Sequence, residues 1–211
     1  MAAVLFLHGL GDQGSSWEDP FMGLQRQIPG LKVRCPNAPN QKVTCNGGAR
    51  MPSWFDIVAW QPPAPIGLDE PDNPAGLKET VALVHQEIAK LEEAGIPAEK
   101  IVVGGFSQGG VSALQGGLTY PKKLGGIVSI SGWTWESMAE KACPMNSSVP
   151  IFYAYGTHDP AIGRDLSEKS VQIIKGFHKG DVNVMEVRRS EHGPDGGELR
   201  QALSFIQTCL K

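Results

Sequence analysis

The chain has 211 residues, of which 41% are hydrophobic and 19% are charged, so it is long enough to bury a sizeable core. Its formal net charge of -3 comes from 19 basic and 22 acidic residues without a long run of one sign. This balance excludes the basic pattern that binds nucleic acid or an anionic membrane surface, and we expect neither as a direct partner.

The first apolar run, MAAVLFLHG, has no basic segment before it and no cleavage site, and it is too short to span a bilayer. The four cysteines are widely spaced, without a C-x-x-C pair or a Cys/His cluster of metal-ligand spacing. These features predict a cytoplasmic protein with reduced thiols and no bound metal.

Short apolar runs that predict β-strands recur along the chain, with helix-like segments between them. In chain order they are AAVLFL, LKVRCP, KIVVGG, GGIVSIS, PIFYAY and VNVMEVRR. Apolar residues at helical spacing predict amphipathic helices from Leu77, from Leu166 and from Leu199. This alternation indicates a single α/β domain over residues 1–211, with a mainly parallel sheet and helices on both faces.

One long segment, at about residues 43–74, interrupts the alternation. It combines aromatic residues with many prolines and is too long for an ordinary connection. Its large apolar side chains would be costly to expose to water. We therefore predict an irregular loop that covers part of the molecule.

The stretch GGFSQGGVS, directly after the third apolar run, places one serine among glycines. Gly105, Ser107 and Gly109 match G-x-S-x-G, a pattern typical of a nucleophile elbow, where a sharp turn exposes the serine hydroxyl. A serine nucleophile needs a base and an orienting carboxylate, which in this fold follow in the order acid, then histidine. Asp159 and His192 each follow a predicted strand, so the three side chains should meet at one sheet edge.

The sequence HGLG after the first strand predicts part of an oxyanion hole, formed by the backbone N–H groups of Leu10 and Gln108. The same region, GLGDQG, also matches the dinucleotide pattern G-x-G-x-x-G. That interpretation needs an acidic residue after the second strand, and VRCPNAPN contains none. We therefore expect no cofactor, and we interpret His8 as a structural residue that fixes the loop.

Five motifs together resemble the acyl-protein thioesterase and lysophospholipase family of serine hydrolases, a carboxylesterase-type branch of the α/β-hydrolase fold. They are FLHGLGD, MPSWFDI, GIPAEKIVVGGFSQGG, GTHDP and the late EHG, and the resemblance runs over nearly the whole chain. It implies a triad of Ser107, Asp159 and His192, with Leu10 and Gln108 as oxyanion donors. It also implies cleavage of long acyl chains from protein cysteines, or of lysophospholipids or small esters, without metal or cofactor.

The chain departs from the family pattern at two positions near the expected site. Tyr155 stands where histidine is usual before the acid loop, and Gly193 follows the histidine where serine is common. The proline-rich AWQPPAPIG also exceeds the family's loop in length, which affects the expected substrate range. The chain begins directly at the first strand, so we expect no stable lipid anchor.

A long acyl chain needs an apolar channel beside the serine, because each buried CH₂ contributes about 0.8 kcal/mol. The residues expected to form it are Met51, Trp54, Phe55, Ile57, Trp133 and Trp135. S-acylated proteins or lysophospholipids are the expected substrates, and a membrane surface should be met only transiently through them. The sequence leaves open a homodimer and, as an alternative class, a non-catalytic binding protein of the same fold.

Overall fold

The computed structural model describes residues 1–211, which form eight strands and six α-helices. The strands are β1 (Ala3–Leu7), β2 (Lys32–Arg34), β3 (Asn40–Val43), β4 (Ala49–Pro52), β5 (Ile101–Phe106), β6 (Gly126–Ile130), β7 (Ile151–Gly156) and β8 (Val182–Val187). The helices are α1 (Asp19–Gln27), α2 (Leu77–Glu93), α3 (Gln108–Thr119), α4 (Met138–Lys141), α5 (Arg164–Phe177) and α6 (Gly196–Leu210).

Six strands form one parallel sheet in the order β2-β1-β5-β6-β7-β8. They coincide with the six apolar runs of the sequence. The central strands are buried nearly throughout, whereas the edge strands β2 and β8 are partly exposed. Burial on both faces is why the central strands are continuous apolar runs. The predicted α/β-hydrolase fold is confirmed.

Apolar side chains form two core layers, one on each face of the sheet. In β1, Leu5 and Leu7 belong to the layer under α2, α3 and α5, whereas Val4 and Phe6 belong to the layer under α1 and α6. This division follows from the alternation of side chains along a strand. The predicted apolar faces of α2 and α5 contribute to the first layer, and that of α6 contributes to the second.

The segment at 43–74 is more regular at its start than we predicted. The end of β3 lies at its beginning, and β3 pairs antiparallel with β4 in a separate two-stranded hairpin. The strands read NQKV and ARMP, and neither sequence alternates clearly between apolar and polar residues; Val43 is their one buried residue. Hydrophobic patterning therefore could not reveal them.

The later part of the same segment is attached to the loop after β7. Ile66 and Ile162 form an isolated parallel bridge, in which the Ile66 N–H donates to the Ala161 carbonyl at 2.8 Å. The buried carboxylate of Glu70 accepts a hydrogen bond from the Ala59 N–H at 2.9 Å, and burial raises the pKa of Glu70. These contacts hold the segment over the carboxyl edge of the sheet.

Candidate active site

Ser107 lies in a sharp turn between β5 and α3. Its φ of 54° and ψ of -123° are unusual for a residue with a side chain, and such conformations cost about 1–3 kcal/mol. The Ser107 N–H donates to the Ile130 carbonyl at 2.8 Å, which fixes the turn against β6. The strained turn aims the hydroxyl away from the sheet, as a nucleophile elbow requires.

The glycines on either side of the serine allow α3 to start against the sheet. A Cβ added at Gly105 would lie 2.1 Å from the Gly109 carbonyl oxygen. A Cβ added at Gly109 would lie 2.1 Å from the carbonyl oxygen of Leu7. Both contacts are with backbone, which cannot move aside cheaply, so the G-x-S-x-G spacing is a packing requirement of this turn.

We predict that Gly109→Ala lowers the free energy of unfolding by about 1–3 kcal/mol or more, because the methyl group overlaps the carbonyl of Leu7. Urea unfolding of the purified variants measures this loss. Gly23→Ala is the matched control, since Gly23 is exposed in α1 and an added Cβ meets nothing within 4 Å. The control should be stabilised by up to about 1 kcal/mol. Equal stability of Gly109→Ala and wild type would contradict the packing argument.

The structure brings the three predicted triad side chains together. The Ser107 Oγ lies 2.9 Å from the His192 Nε2. The His192 Nδ1 lies 3.0 Å from each carboxylate oxygen of Asp159. The three residues follow β5, β8 and β7, so the parallel sheet delivers all of them to one edge. Their catalytic roles stay predictions.

Asp159 is held by backbone as well as by the histidine. Its Oδ1 accepts hydrogen bonds from the N–H groups of Ala161 at 2.8 Å and Ile162 at 3.1 Å. Burial alone would raise the pKa of Asp159, but these bonds and His192 lower it below the ordinary aspartate value. The group is therefore a carboxylate at neutral pH and can accept a hydrogen bond from the Nδ1–H of the imidazole.

A buried arginine that the sequence reasoning missed contacts the same carboxylate. The Arg189 Nη1 lies 3.0 Å from the Asp159 Oδ2, and its Nε lies 2.7 Å from an oxygen of Glu198. Neither Arg189 nor Glu198 belongs to a recognised motif. Because charged residues are mostly exposed, the sequence offered no reason to place these two in the core. The one available signal was the position of Arg189, directly after a predicted strand at the edge that carries the site.

Both predicted oxyanion donors have free N–H groups. Gln108 is the first residue of α3, so its N–H has no partner within the helix. The Leu10 N–H donates to no acceptor in the structure. The side chain of Gln108 is buried and anchors the 43–74 segment, because its Oε1 accepts from the Trp54 N–H at 2.8 Å. The two donors stay a prediction.

His8 has the structural position that we expected. The ring is fully buried, with Nδ1 2.7 Å from the Gly9 carbonyl and Nε2 3.0 Å from the Ala38 N–H. Burial lowers the pKa of His8, so the imidazole is neutral, donates from Nδ1 and accepts at Nε2. It joins the loop after β1 to the segment after β2.

A cavity of about 290 Å³ opens beside Ser107 and His192. Of the six residues predicted to bind the acyl chain, Met51 and Ile57 line it. The sequence reasoning missed its other apolar lining residues, which are Leu10, Trp60, Ile66, Phe106, Ala161 and Ile162. A larger groove of about 610 Å³, beside the first turn of α2, contains no triad residue.

The other four predicted acyl-binding residues do not line this cavity. Trp54, Phe55, Trp133 and Trp135 are buried in the core layer under α2, α3 and α5. The Trp54 Nε1 donates to the His8 carbonyl at 2.8 Å, and the Phe55 and Trp133 rings meet edge to face with centroids 6.0 Å apart. We therefore correct their assignment: these side chains anchor the 43–74 segment to the sheet.

No helix in the structure combines the length and the apolar character needed to cross a membrane.

Residues 1–210 match the family model described as Phospholipase/Carboxylesterase. The chain is 33% identical over 218 residues to acyl-protein thioesterase 1 of Kluyveromyces lactis, covering 99% of this chain and 92% of the relative. It is 36% identical over 214 residues to acyl-protein thioesterase 1 of Saccharomyces cerevisiae, covering 98% of this chain and 92% of the relative.

The fold is also similar to the crystal structure of Arabidopsis thaliana SOBER1, with a TM-score of 0.89 and 30% sequence identity. This superposition covers 100% of the chain and 99% of SOBER1. The matches extend over the whole length of the chain and include every strand and loop that carries the site. The chain therefore belongs to the Phospholipase/Carboxylesterase family of α/β-hydrolases, and it is a serine hydrolase.

Proposed function

We propose that this enzyme removes long acyl chains from protein cysteines through an acyl-enzyme at Ser107. The observation that carries the proposal is the hydrogen-bonded series Ser107, His192 and Asp159 at the wall of an apolar cavity. The similarity to acyl-protein thioesterases over 98–99% of the chain supports the substrate class.

The proposed reaction begins when the His192 Nε2 accepts the Ser107 proton and Oγ attacks the thioester carbonyl carbon. The resulting tetrahedral intermediate collapses, the carbon–sulfur bond breaks, and the imidazolium returns its proton to the departing cysteine sulfur. Water then attacks the acyl-enzyme by the same steps, with His192 as the base, and releases a fatty acid and free Ser107. Asp159 holds the imidazole with its proton on Nδ1 and stabilises the imidazolium.

The developing oxyanion needs donors that are already in place. The unpartnered N–H groups of Leu10 and Gln108 satisfy this requirement in the proposal, because they lose no existing hydrogen bond when the negative charge forms. Gln108 directly follows the nucleophile, and Leu10 belongs to the loop after β1, the two places where this fold supplies such donors.

The apolar lining of the cavity favours a long acyl chain over a small acid. Most of its apolar residues come from the 43–74 segment on one side and from the loop after β7 on the other, and Leu10 and Phe106 lie beside the triad. The bridge between Ile66 and Ile162 joins these two walls. We infer that the acyl chain lies between them, and that the enzyme meets membranes in the cytoplasm only through acylated substrates.

The proposal is tested with a fluorophosphonate probe and two competing substrates. Wild-type protein should be labelled at Ser107 and should hydrolyse a palmitoyl-peptide thioester in preference to lysophosphatidylcholine. Absence of the Ser107 adduct on folded protein would favour a non-catalytic binding protein. Labelling with a preference for lysophosphatidylcholine, or for short esters, would assign the enzyme as a lysophospholipase or a general carboxylesterase.

We predict that kcat/KM rises with acyl length from C2 to at least C8 in esters of one leaving group. Each methylene buried in the transition state contributes up to about 0.8 kcal/mol, or about fourfold. Met51→Gln should flatten the rise while sparing hydrolysis of the acetyl ester, because Met51 lines the cavity without belonging to the triad. Initial rates below the critical micelle concentration measure both effects.

The matched control for this prediction is Met145→Gln, since Met145 is 53% exposed and lies outside the cavity. Its chain-length profile should match that of wild type. Equal kcat/KM for acetyl and octanoyl esters in wild type would show that the cavity does not bind the acyl chain.

A further inference from the structure

Arg189 lies between β8 and His192, and its side chain points into the protein rather than into water. The side chain is only 7% exposed, although the neighbouring Arg188 is exposed. Burying a guanidinium group is costly unless it is paired and hydrogen-bonded throughout. The hydrogen-bond partners of the Arg189 guanidinium therefore indicate its role.

The guanidinium connects the two loops that carry the acid and the base. Its Nη1 donates to the Asp159 Oδ2 at 3.0 Å. The same nitrogen donates to the carbonyl of His192 at 3.0 Å and to the carbonyl of Glu191. One planar group thus fixes the carboxylate and the backbone of the histidine relative to each other.

The opposite edge of the guanidinium is fixed to the sheet and to α6. Its Nη2 donates to the Oγ of Ser131, the residue directly after β6, at 2.5 Å. Its Nε donates to the Glu198 Oε2 at 2.7 Å, and Glu198 is fully buried in the first turn of α6. Glu198 also accepts from the Asp195 N–H at 3.1 Å, as part of the helix cap, so its own position is constrained.

We propose that Arg189, held by Glu198, is a positioning residue that sets the Asp159–His192 geometry required for proton transfer from Ser107. This inference rests on the proposed function and adds to it a determinant outside the triad. Because Glu198 balances the charge of Arg189, the Asp159 carboxylate can contact the guanidinium and still stabilise the imidazolium with its negative charge. The rigid five-donor fork of arginine suits this task, and the flexible single ammonium of lysine does not.

Arg189→Met and Arg189→Lys should each lower kcat by about 10²-fold, with KM for an octanoyl ester changed less than threefold, because displacement of a catalytic group by about 1 Å has an effect of this size. Rates are normalised to the fraction of active sites, determined by exhaustive labelling with a fluorophosphonate. This normalisation removes losses that come from unfolded protein alone.

Arg189→Met leaves the buried Glu198 carboxylate without its charged partner, so this variant is also destabilised by a cause that is unrelated to positioning. The double variant Arg189→Met/Glu198→Gln removes both charges, and the glutamine keeps an oxygen to accept from the Asp195 N–H. Its kcat should stay about 10²-fold below wild type even where its melting temperature recovers. Arg188→Met is the matched control, because Arg188 makes no hydrogen bond or ion pair, and it should retain wild-type kcat.

A spectroscopic measurement separates positioning from general stability. The downfield proton resonance of the His192–Asp159 hydrogen bond should shift or broaden in the folded double variant and stay unchanged in Arg188→Met. A double variant with wild-type kcat and an unchanged resonance would overturn the proposal and leave Arg189 a structural ion pair. Failure of the wild-type protein to hydrolyse any acyl substrate would instead overturn the proposed function.

Discussion

Ser107→Ala should lower kcat by about 10⁴- to 10⁶-fold without loss of the fold. The Ser107 Oγ is the one side-chain atom within hydrogen-bond distance of the His192 Nε2, so the variant leaves the base with no nucleophile to activate. His192→Ala should cause a loss of similar size, because the serine hydroxyl is a weak nucleophile without its base. Steady-state hydrolysis of an octanoyl ester measures both.

The appropriate control for Ser107→Ala is Ser112→Ala. Ser112 is fully buried one turn further along α3, and its hydroxyl donates to the Gln108 carbonyl within the helix at 2.9 Å. It should keep kcat within a few-fold of wild type. Turnover near the wild-type rate by folded Ser107→Ala, free of contaminating esterase, would disprove the acyl-enzyme mechanism.

The sheet and the meeting of the triad residues could be predicted because both follow from local patterns. Buried parallel strands read as apolar runs, and residues directly after such strands are brought to one edge. Ser107, Asp159 and His192 each occupy this position, so their proximity required no knowledge of side-chain packing.

The parts that could not be predicted depend on packing between distant segments. A large apolar side chain can fill the core or line a cavity, since both surroundings are apolar. The sequence therefore could not distinguish Trp133, which lies in the core, from Met51, which lines the cavity. Likewise, Arg189 contacts Ser131 and Asp159, which are 58 and 30 residues away in sequence. The spacing of apolar residues in the sequence does not indicate such a contact.

Asp159→Asn should lower kcat by about 10⁴-fold although it changes a single atom. The Asp159 Oδ1 accepts from the N–H groups of Ala161 and Ile162, so the asparagine oxygen must take that place. Its NH₂ group then occupies the position of Oδ2 and faces His192 and Arg189, both of which were donors to the carboxylate.

This orientation reverses the hydrogen bond to the imidazole. The asparagine oxygen, which also lies 3.0 Å from the His192 Nδ1, already accepts from two backbone N–H groups, so the new NH₂ group becomes the partner of Nδ1 and donates to it. The ring proton then moves to Nε2, the atom that should accept the proton of Ser107. The base is then present but in the wrong tautomer. The loss should therefore appear in kcat at every pH at which the fold persists, and pH–rate profiles of the variant and wild type measure it.

Stability should change with a defined pH dependence. Because the folded-state pKa of Asp159 lies below its ordinary value, the ionised carboxylate stabilises the fold at neutral pH, and this contribution is lost as the pH falls through and below about 4. Asp159→Asn lacks the contribution at any pH. Its deficit in unfolding free energy relative to wild type should thus be largest near neutrality and shrink on acidification.

Two other aspartates serve as controls for the assignment of the acid. Asp181 is exposed before β8, and the Asp165 Oδ1 accepts from the Leu166 N–H at the start of α5. Neither carboxylate contacts His192, so Asp181→Asn and Asp165→Asn should retain kcat within a few-fold of wild type. If either variant lost activity while Asp159→Asn kept it, the acid would be misassigned, and the hydrogen bonds that hold Asp159 would serve only the fold.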